Sequence, residues 1–213
     1  MIGNHTIKQS FGLDIEAASI KLRQVVKHTP LIFNASLSKK YDCTIYLKRE
    51  DLQIVRSYKL RGAYNMISSL SETQRLNGVV CASAGNHAQG FAYSCKLLNI
   101  KGVVFMPIIT PNQKVTQTKM FGDGHIEIKL VGDTFDDCAT AAKAFTEANG
   151  MTFIPPFDDL KIIEGQATVG VEILEELKRQ NKADGVIIIS AKNALEDKIQ
   201  GLQIGADDYL AKP

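Results

Sequence analysis

The sequence predicts an α/β fold in which parallel sheets carry helices on both faces. Four apolar, strand-like runs, at 79–82, 102–106, 126–131 and 186–189, alternate with four stretches of helical periodicity, at 86–98, 113–121, 135–149 and 166–180. Repeated strand–helix units imply a mainly parallel sheet covered on both faces. In such sheets function collects at the carboxyl ends of the strands.

Residues 13–28 read as an amphipathic helix, with Ile15, Ala18, Leu22, Val25 and Val26 toward one side and Thr29-Pro30 ending it. Residues 43–48 read as a strand, followed by an irregular loop. Ala63, Met66, Ile67 and Leu70 then mark a helix whose first turn begins at or just after Lys59. In 135–149, Phe135, Cys138, Ala142 and Phe145 fall near helical spacing and are expected in the core. The stretch Gly165-Gln166-Ala167-Thr168-Val169-Gly170 lacks the GxGxxG pattern and follows no strand, which argues against a nucleotide loop. Glu172, Glu175, Glu176, Lys178 and Arg179 read as a solvated helix face.

A chain of 213 residues with 45% hydrophobic and 23% charged residues has enough apolar material for one large domain or two small ones. Its net charge of +2, from 25 basic and 23 acidic residues, comes without a basic cluster, so nucleic acid is not expected as a partner. No run approaches the ~18 apolar residues of a membrane span. The first residues carry no signal-peptide core, and Cys43, Cys81, Cys95 and Cys138 form no CxxC pair. Reduced thiols and a cytoplasmic location are the expectation. The histidines His5, His28, His87 and His125 are scattered, so no metal site is expected.

Lys59 is the first candidate for chemistry. At the start of a helix the macrodipole is positive and disfavours an ammonium. A lysine so placed loses its proton more readily and can attack a carbonyl carbon. The plain alternative is an ordinary surface lysine. The second candidate is the loop Ser83-Ala84-Gly85, between the run Val79-Val80-Cys81-Ala82 and the next helix. Small residues at a strand's carboxyl end, opening a helix, let backbone amides approach an anion such as a carboxylate. The alternative there is a helix cap made by Ser83 or Asn86, with His87 exposed.

Three segments together carry a family resemblance: Leu47-Lys48-Arg49-Glu50-Asp51-Leu52-Gln53, Ser57-Tyr58-Lys59-Leu60-Arg61-Gly62-Ala63 and Ser83-Ala84-Gly85-Asn86-His87-Ala88-Gln89-Gly90. In order and spacing, residues 15–188 resemble the threonine dehydratase (threonine ammonia-lyase) family of pyridoxal-phosphate enzymes, with the tryptophan-synthase-like fold (fold type II). The resemblance implies that Lys59 carries pyridoxal 5'-phosphate covalently and that Tyr58 lies against its ring. It implies that Asn86 bonds the cofactor's phenolic oxygen, and that Ser83, Gly85, Asn86 and His87 cradle the carboxylate of a small amino-acid substrate. The implied reaction converts L-threonine or L-serine to a 2-oxo acid and ammonia, with Lys59 as general base. In the related serine racemases the position of Ala84 is typically a second serine that delivers a proton; alanine has none to give, which favours elimination.

The implied domains are 1–74, the first part of a larger cofactor domain; 75–149, a smaller α/β domain; 150–188, the return to the larger domain; and 189–213. Past Asp184-Gly185-Val186-Ile187-Ile188 the resemblance breaks, because the family's run of glycines for the cofactor phosphate is absent. Residues 189–213 instead resemble the end of a response-regulator receiver domain, through Val186-Ile187-Ile188-Ile189-Ser190-Ala191 and Gly201-Leu202-Gln203-Ile204-Gly205-Ala206-Asp207-Asp208-Tyr209-Leu210-Ala211-Lys212-Pro213. That resemblance implies a switch hydroxyl at Ser190 and a phosphoryl-contacting lysine at Lys212. A receiver's phosphoacceptor aspartate and acidic metal-binding pair have no counterpart upstream, so phospho-signalling is not expected. The whole reads as a chimera, its larger domain incomplete and completed by a receiver-like βαβ segment. Each charge-assisted phosphate bond is worth about 1.5–3 kcal/mol, so losing the glycine loop predicts impaired cofactor binding and activity. A helix start at 190–193 with Lys192 is a candidate replacement. A catalytically silent chimeric scaffold is the alternative function. An uncovered apolar edge would favour a homo-oligomer.

Overall fold

The computed structural model describes residues 13–180 and the two strands 187–190 and 208–211. It divides into two units, residues 15–169 and a second made of residues 1–14 and 170–213. The first contains helix α1 (Ile15–Leu22), strand β1 (Leu31–Phe33), α2 (Ala35–Tyr41), β2 (Tyr46–Lys48), a 3-10 turn (Glu50–Leu52), α3 (Lys59–Ser68) and α4 (Glu72–Asn77). It continues with β3 (Val79–Ala82), α5 (Asn86–Leu98), β4 (Gly102–Met106), α6 (Asn112–Gly122), β5 (Ile126–Leu130), α7 (Phe135–Ala148) and β6 (Thr152–Phe153). Helix α8 (Leu160–Arg179) runs from the first unit into the second, which also holds β7 (Ile187–Ser190) and β8 (Asp208–Ala211).

The central sheet has the order β5-β4-β3-β6, and every pair in it is parallel. Because side chains alternate along a strand, each strand serves two cores. Val79 and Cys81 of β3 and Val104 and Met106 of β4 join Ala88, Phe91 and Cys95 of α5, Ile67 of α3, Val115 of α6 and Ile162 of α8. Val80, Ala82, Val103 and Phe105 face the other way, onto Cys138 and Ala142 of α7. The sheet is thus covered on both faces, as the strand–helix alternation predicts. Phe145 also packs on this second cluster, but Phe135 does not: it is 49% exposed. It is the first residue of α7, just after the Thr134–Asp137 capping box, before the helix meets the sheet.

Other boundaries differ from expectation. The helix expected over 13–28 ends at Leu22, where Val25 and Val26 both turn back to the Leu22 carbonyl ahead of Thr29-Pro30. The strand expected over 43–48 shortens to β2 and pairs antiparallel with β1. The helix expected from 166 starts at Leu160, where Asp159 accepts from the amide of Lys161. In the second unit, β7 and β8 pair in parallel, with Ile187 opposite Asp208 and Ser190 opposite Ala211. Of the helix start expected at 190–193, Ser190 is the last residue of β7; the rest of it, with Lys192, and Lys212 lie outside the described residues.

Candidate active site

Two helix starts meet at the carboxyl end of β3. Lys59 is the first residue of α3, after Tyr58, which makes no side-chain cap. Its amine is half-buried and donates to the Pro156 carbonyl at 2.6 Å. Burial lowers its pKa, and among the described residues no carboxylate pairs with it. The Tyr58 ring, 40% exposed, lies 5.4 Å from the Lys59 amine. A lysine held this way is not freely exposed, and burial disfavours its charged form relative to a solvated lysine.

Helix α5 starts at Asn86 with Gly85 as its cap residue, and no side chain caps it. The Ser83 hydroxyl instead accepts from the Gly85 amide at 3.2 Å. The amides of Asn86, His87 and Ala88 have no acceptor among the described residues. A methyl on Gly85 would meet nothing within 4 Å, so the space before these amides is open. The Asn86 side chain is exposed there, while Ser83 and Ala84 are partly buried. Free amides at the positive end of a helix of this length suit an anion.

His87 is placed otherwise than a capped loop would place it. It is 3% exposed, and its Nε2 lies 3.0 Å from the Ile154 carbonyl. Its pKa falls to about 4, chiefly through burial, with the positive charge of Lys59 also lowering it. A carbonyl only accepts, so the neutral ring carries its hydrogen on Nε2 and leaves Nδ1 as a buried acceptor without a partner. Only the His87 backbone amide therefore faces an anion at the start of α5.

The two starts are brought together on shared backbone rather than by a bond between their side chains. Lys59 binds the Pro156 carbonyl and His87 the Ile154 carbonyl, two residues apart on the chain leaving β6. On the other side, α5 touches α3 at Gly90, where a methyl would sit 2.9 Å from the Leu60 nitrogen and 3.0 Å from the Lys59 carbonyl carbon. The carbonyls of Ile154 and Pro156 are functional groups that motif reading misses, because a carbonyl belongs to every residue. The neighbouring Pro155-Pro156 pair, which holds the backbone extended, is the signal the sequence does offer. An open depression of about 440 Å³, lined by Asn77, Lys101, His125, Glu127 and Asn149 among others, lies at the amino ends of the strands and holds none of the expected site residues.

A parallel α/β sheet, a half-buried lysine without an ion-pair partner among the described residues and a turn of free amides at a strand's carboxyl end are an arrangement suited to a carbonyl and a carboxylate. The chain belongs to the pyridoxal-phosphate dependent enzyme family, whose model matches residues 22–193. L-threonine dehydratase biosynthetic IlvA of Staphylococcus epidermidis is 54% identical over 169 residues, which is 79% of this chain and 40% of that protein. Processed threonine deaminase isoform 2 from Solanum lycopersicum superposes with a TM-score of 0.72 at 39% identity, covering 83% of this chain and 47% of that one. Serine racemase from Dictyostelium discoideum gives 0.71 at 30% identity, covering 83% and 55%. The chain spans about half the length, or less, of these relatives.

The residues present fit one end of pyridoxal phosphate. Lys59 offers an amine with no competing carboxylate among the described residues, and Asn86 is exposed at the start of α5. For the phosphate, the sequence has no run of glycines past Ile188.

Proposed function

We propose that this chain forms the lysine-bearing part of a threonine-dehydratase-like ammonia-lyase that converts L-threonine or L-serine to a 2-oxo acid and ammonia. The observation that carries the reading is the half-buried Lys59 amine, hydrogen-bonded to a carbonyl alone, beside the uncapped start of α5. Lys59 would hold pyridoxal phosphate, Tyr58 would flank its ring and Asn86 would bond its phenolic oxygen. When bound, the cofactor supplies an electron sink for the bond broken at the substrate's α-carbon. The Lys59 amine, its pKa lowered by burial, takes the α-proton. The amides of Asn86 and His87, with Ser83 and Gly85, hold the carboxylate. Ala84 has no transferable proton, which favours elimination over racemisation.

The domain division belongs to the same proposal. Residues 75–149 form the smaller domain, supported by β3, β4 and β5 with α5, α6 and α7 lying inside those limits. Residues 1–74 and 150–188 contribute to the larger one, and 189–213 close it as a receiver-like segment. The parallel β7–β8 pair supports a βαβ-type ending.

A catalytically silent scaffold is the second reading, favoured by the missing glycine run. Titration with pyridoxal phosphate, borohydride reduction and peptide mapping separate the two. The lyase reading expects a visible absorption band, a trapped adduct at Lys59 and loss of both in Lys59→Ala. Without the phosphate loop, affinity falls by several decades against a full-length relative, from about 1.5–3 kcal/mol for each lost bond. A wild-type chain that folds cooperatively and gives neither band nor adduct at millimolar cofactor leaves the scaffold.

A further inference from the structure

Two residues beyond Lys59, the Arg61 side chain is buried to 1% exposure against a Glu50 side chain at 11%. Its Nε and Nη2 each donate to a different Glu50 oxygen at 2.9 Å, a two-pronged pair. Its Nη1 donates to the Thr168 hydroxyl at 3.0 Å, and that hydroxyl donates in turn to the Gly165 carbonyl at 2.7 Å. Glu50 also accepts from the Thr29 hydroxyl at 2.6 Å and from Gln53, whose amide nitrogen reaches the Lys27 carbonyl at 2.7 Å. Burial alone would raise the Glu50 pKa, but the bonds from Arg61 and Thr29 bring it below the usual value, so the pair stays ionised.

Neither helix propensity nor stability explains this arrangement. An arginine in the first turn opposes the helix dipole, and a buried ion pair is often no more stabilising than apolar residues of the same volume. What the pair does is tie three segments to the turn of α3 that carries Lys59: residues 27–29, the 3-10 turn at 50–52, and α8. The backbones agree, because methyl groups on Gly62 and Gly165 would collide with the Ile162 and Arg61 carbonyls.

We propose that the Glu50–Arg61 pair is a positioning device that holds the first turn of α3, and with it the Lys59 amine, against the Pro156 carbonyl. Arg61 and Glu50 act through that turn and are not catalytic residues. The inference rests on the proposed role of Lys59, but its test does not need the cofactor.

Pulse acylation by acetic anhydride, mapped by mass spectrometry over a pH series, reads the Lys59 amine directly, with exposed Lys39 as internal reference. In the wild type the Lys59 midpoint lies below the ordinary lysine value of 10.5. Glu50→Gln should raise it toward that value and increase the limiting Lys59 rate relative to Lys39 by about tenfold or more, since one removed partner frees the turn. Thr168→Val, which removes the bond from Arg61 and the hydroxyl's bond to Gly165 but leaves the ion pair intact, should move both in the same direction by less and keeps the test available if Glu50→Gln does not fold. Ser71→Ala, at the cap of α4, weakens the fold by about 1 kcal/mol and should leave the Lys59 midpoint in place; were Glu50 merely structural, Glu50→Gln would leave it in place as well. An unchanged Lys59 profile in folded Glu50→Gln or Thr168→Val overturns the proposal. A shifted profile in a protein that never binds pyridoxal phosphate upholds it and removes only the lyase reading.

Discussion

The first turn of α3 and the first turn of α5 are built in opposite ways from similar residues. Around Lys59, glycines remove methyl groups so that backbones can touch: Gly90 of α5 against Lys59 and Leu60, and Gly165 of α8 against Arg61. At α5, Gly85 removes a methyl from a place where one would meet nothing. The α3 turn is bound on several sides and buries an ion pair; the α5 turn keeps its amides free and exposes Asn86. The difference teaches that the mount of the proposed nucleophile is closely packed and the proposed anion seat is left open, the division of labour that a pre-organised site requires.

The sharpest way to break this comparison is to put the same methyl on both sides. Gly165→Ala drives a methyl into the backbone of Arg61 and Gly62, which no side-chain rotation can relieve. A loss of about 3 kcal/mol is expected, at the upper end of the usual range for overpacking. Denaturant melts check it: an alanine variant as stable as wild type would mean that the α3–α8 approach is looser than described.

The next effect comes from His87, which joins the two regions through Ile154. Its folded-state pKa of about 4 lies below the ordinary 6.5. Between these values the unfolded chain binds the extra proton, so this residue's contribution to stability is full above about 6.5 and is lost as pH falls toward 4. The lost contribution is at most about 3 kcal/mol. His87→Gln keeps a donor for the Ile154 carbonyl and does not titrate. Its melting temperature should therefore change less than wild type between pH 6.5 and 4. Identical slopes would place the imidazole in water.

How much of this was legible follows from what a letter can carry. Side-chain types at fixed spacing announced Lys59 and the 83–87 turn, and β-branched runs announced β3, β4 and β5. Helix α2 and helix α4 are short and polar, with no buried residue, so no apolar period marks them. For α4 the Ser71 and Gln74 capping box was the only sign. Strand β6 has two residues, too few for alternation, yet the chain leaving it supplies the carbonyls that fix Lys59 and His87. The Glu50–Arg61 pair escaped for another reason. Both residues sit inside recognised motifs, where each looks like one more charged letter, and only the fold shows that they face each other in a nearly buried pair.

The smallest effect is the other half of the glycine comparison, and it is the more specific. Gly85 has φ −133°, a value any residue adopts, and its methyl position is empty. Gly85→Ala should therefore cost less than about 0.5 kcal/mol in a denaturant melt, as surface substitutions do. The same methyl stands beside the free amides of Asn86 and His87, so it should hinder a carboxylate there while leaving the Lys59 amine untouched. Acylation of Lys59 should match wild type, and any adduct formed with pyridoxal phosphate should become less responsive to added L-threonine. If Gly85→Ala instead destabilises the chain as much as Gly165→Ala, the α5 turn is as crowded as the α3 turn, and the open seat for an anion is lost with the contrast.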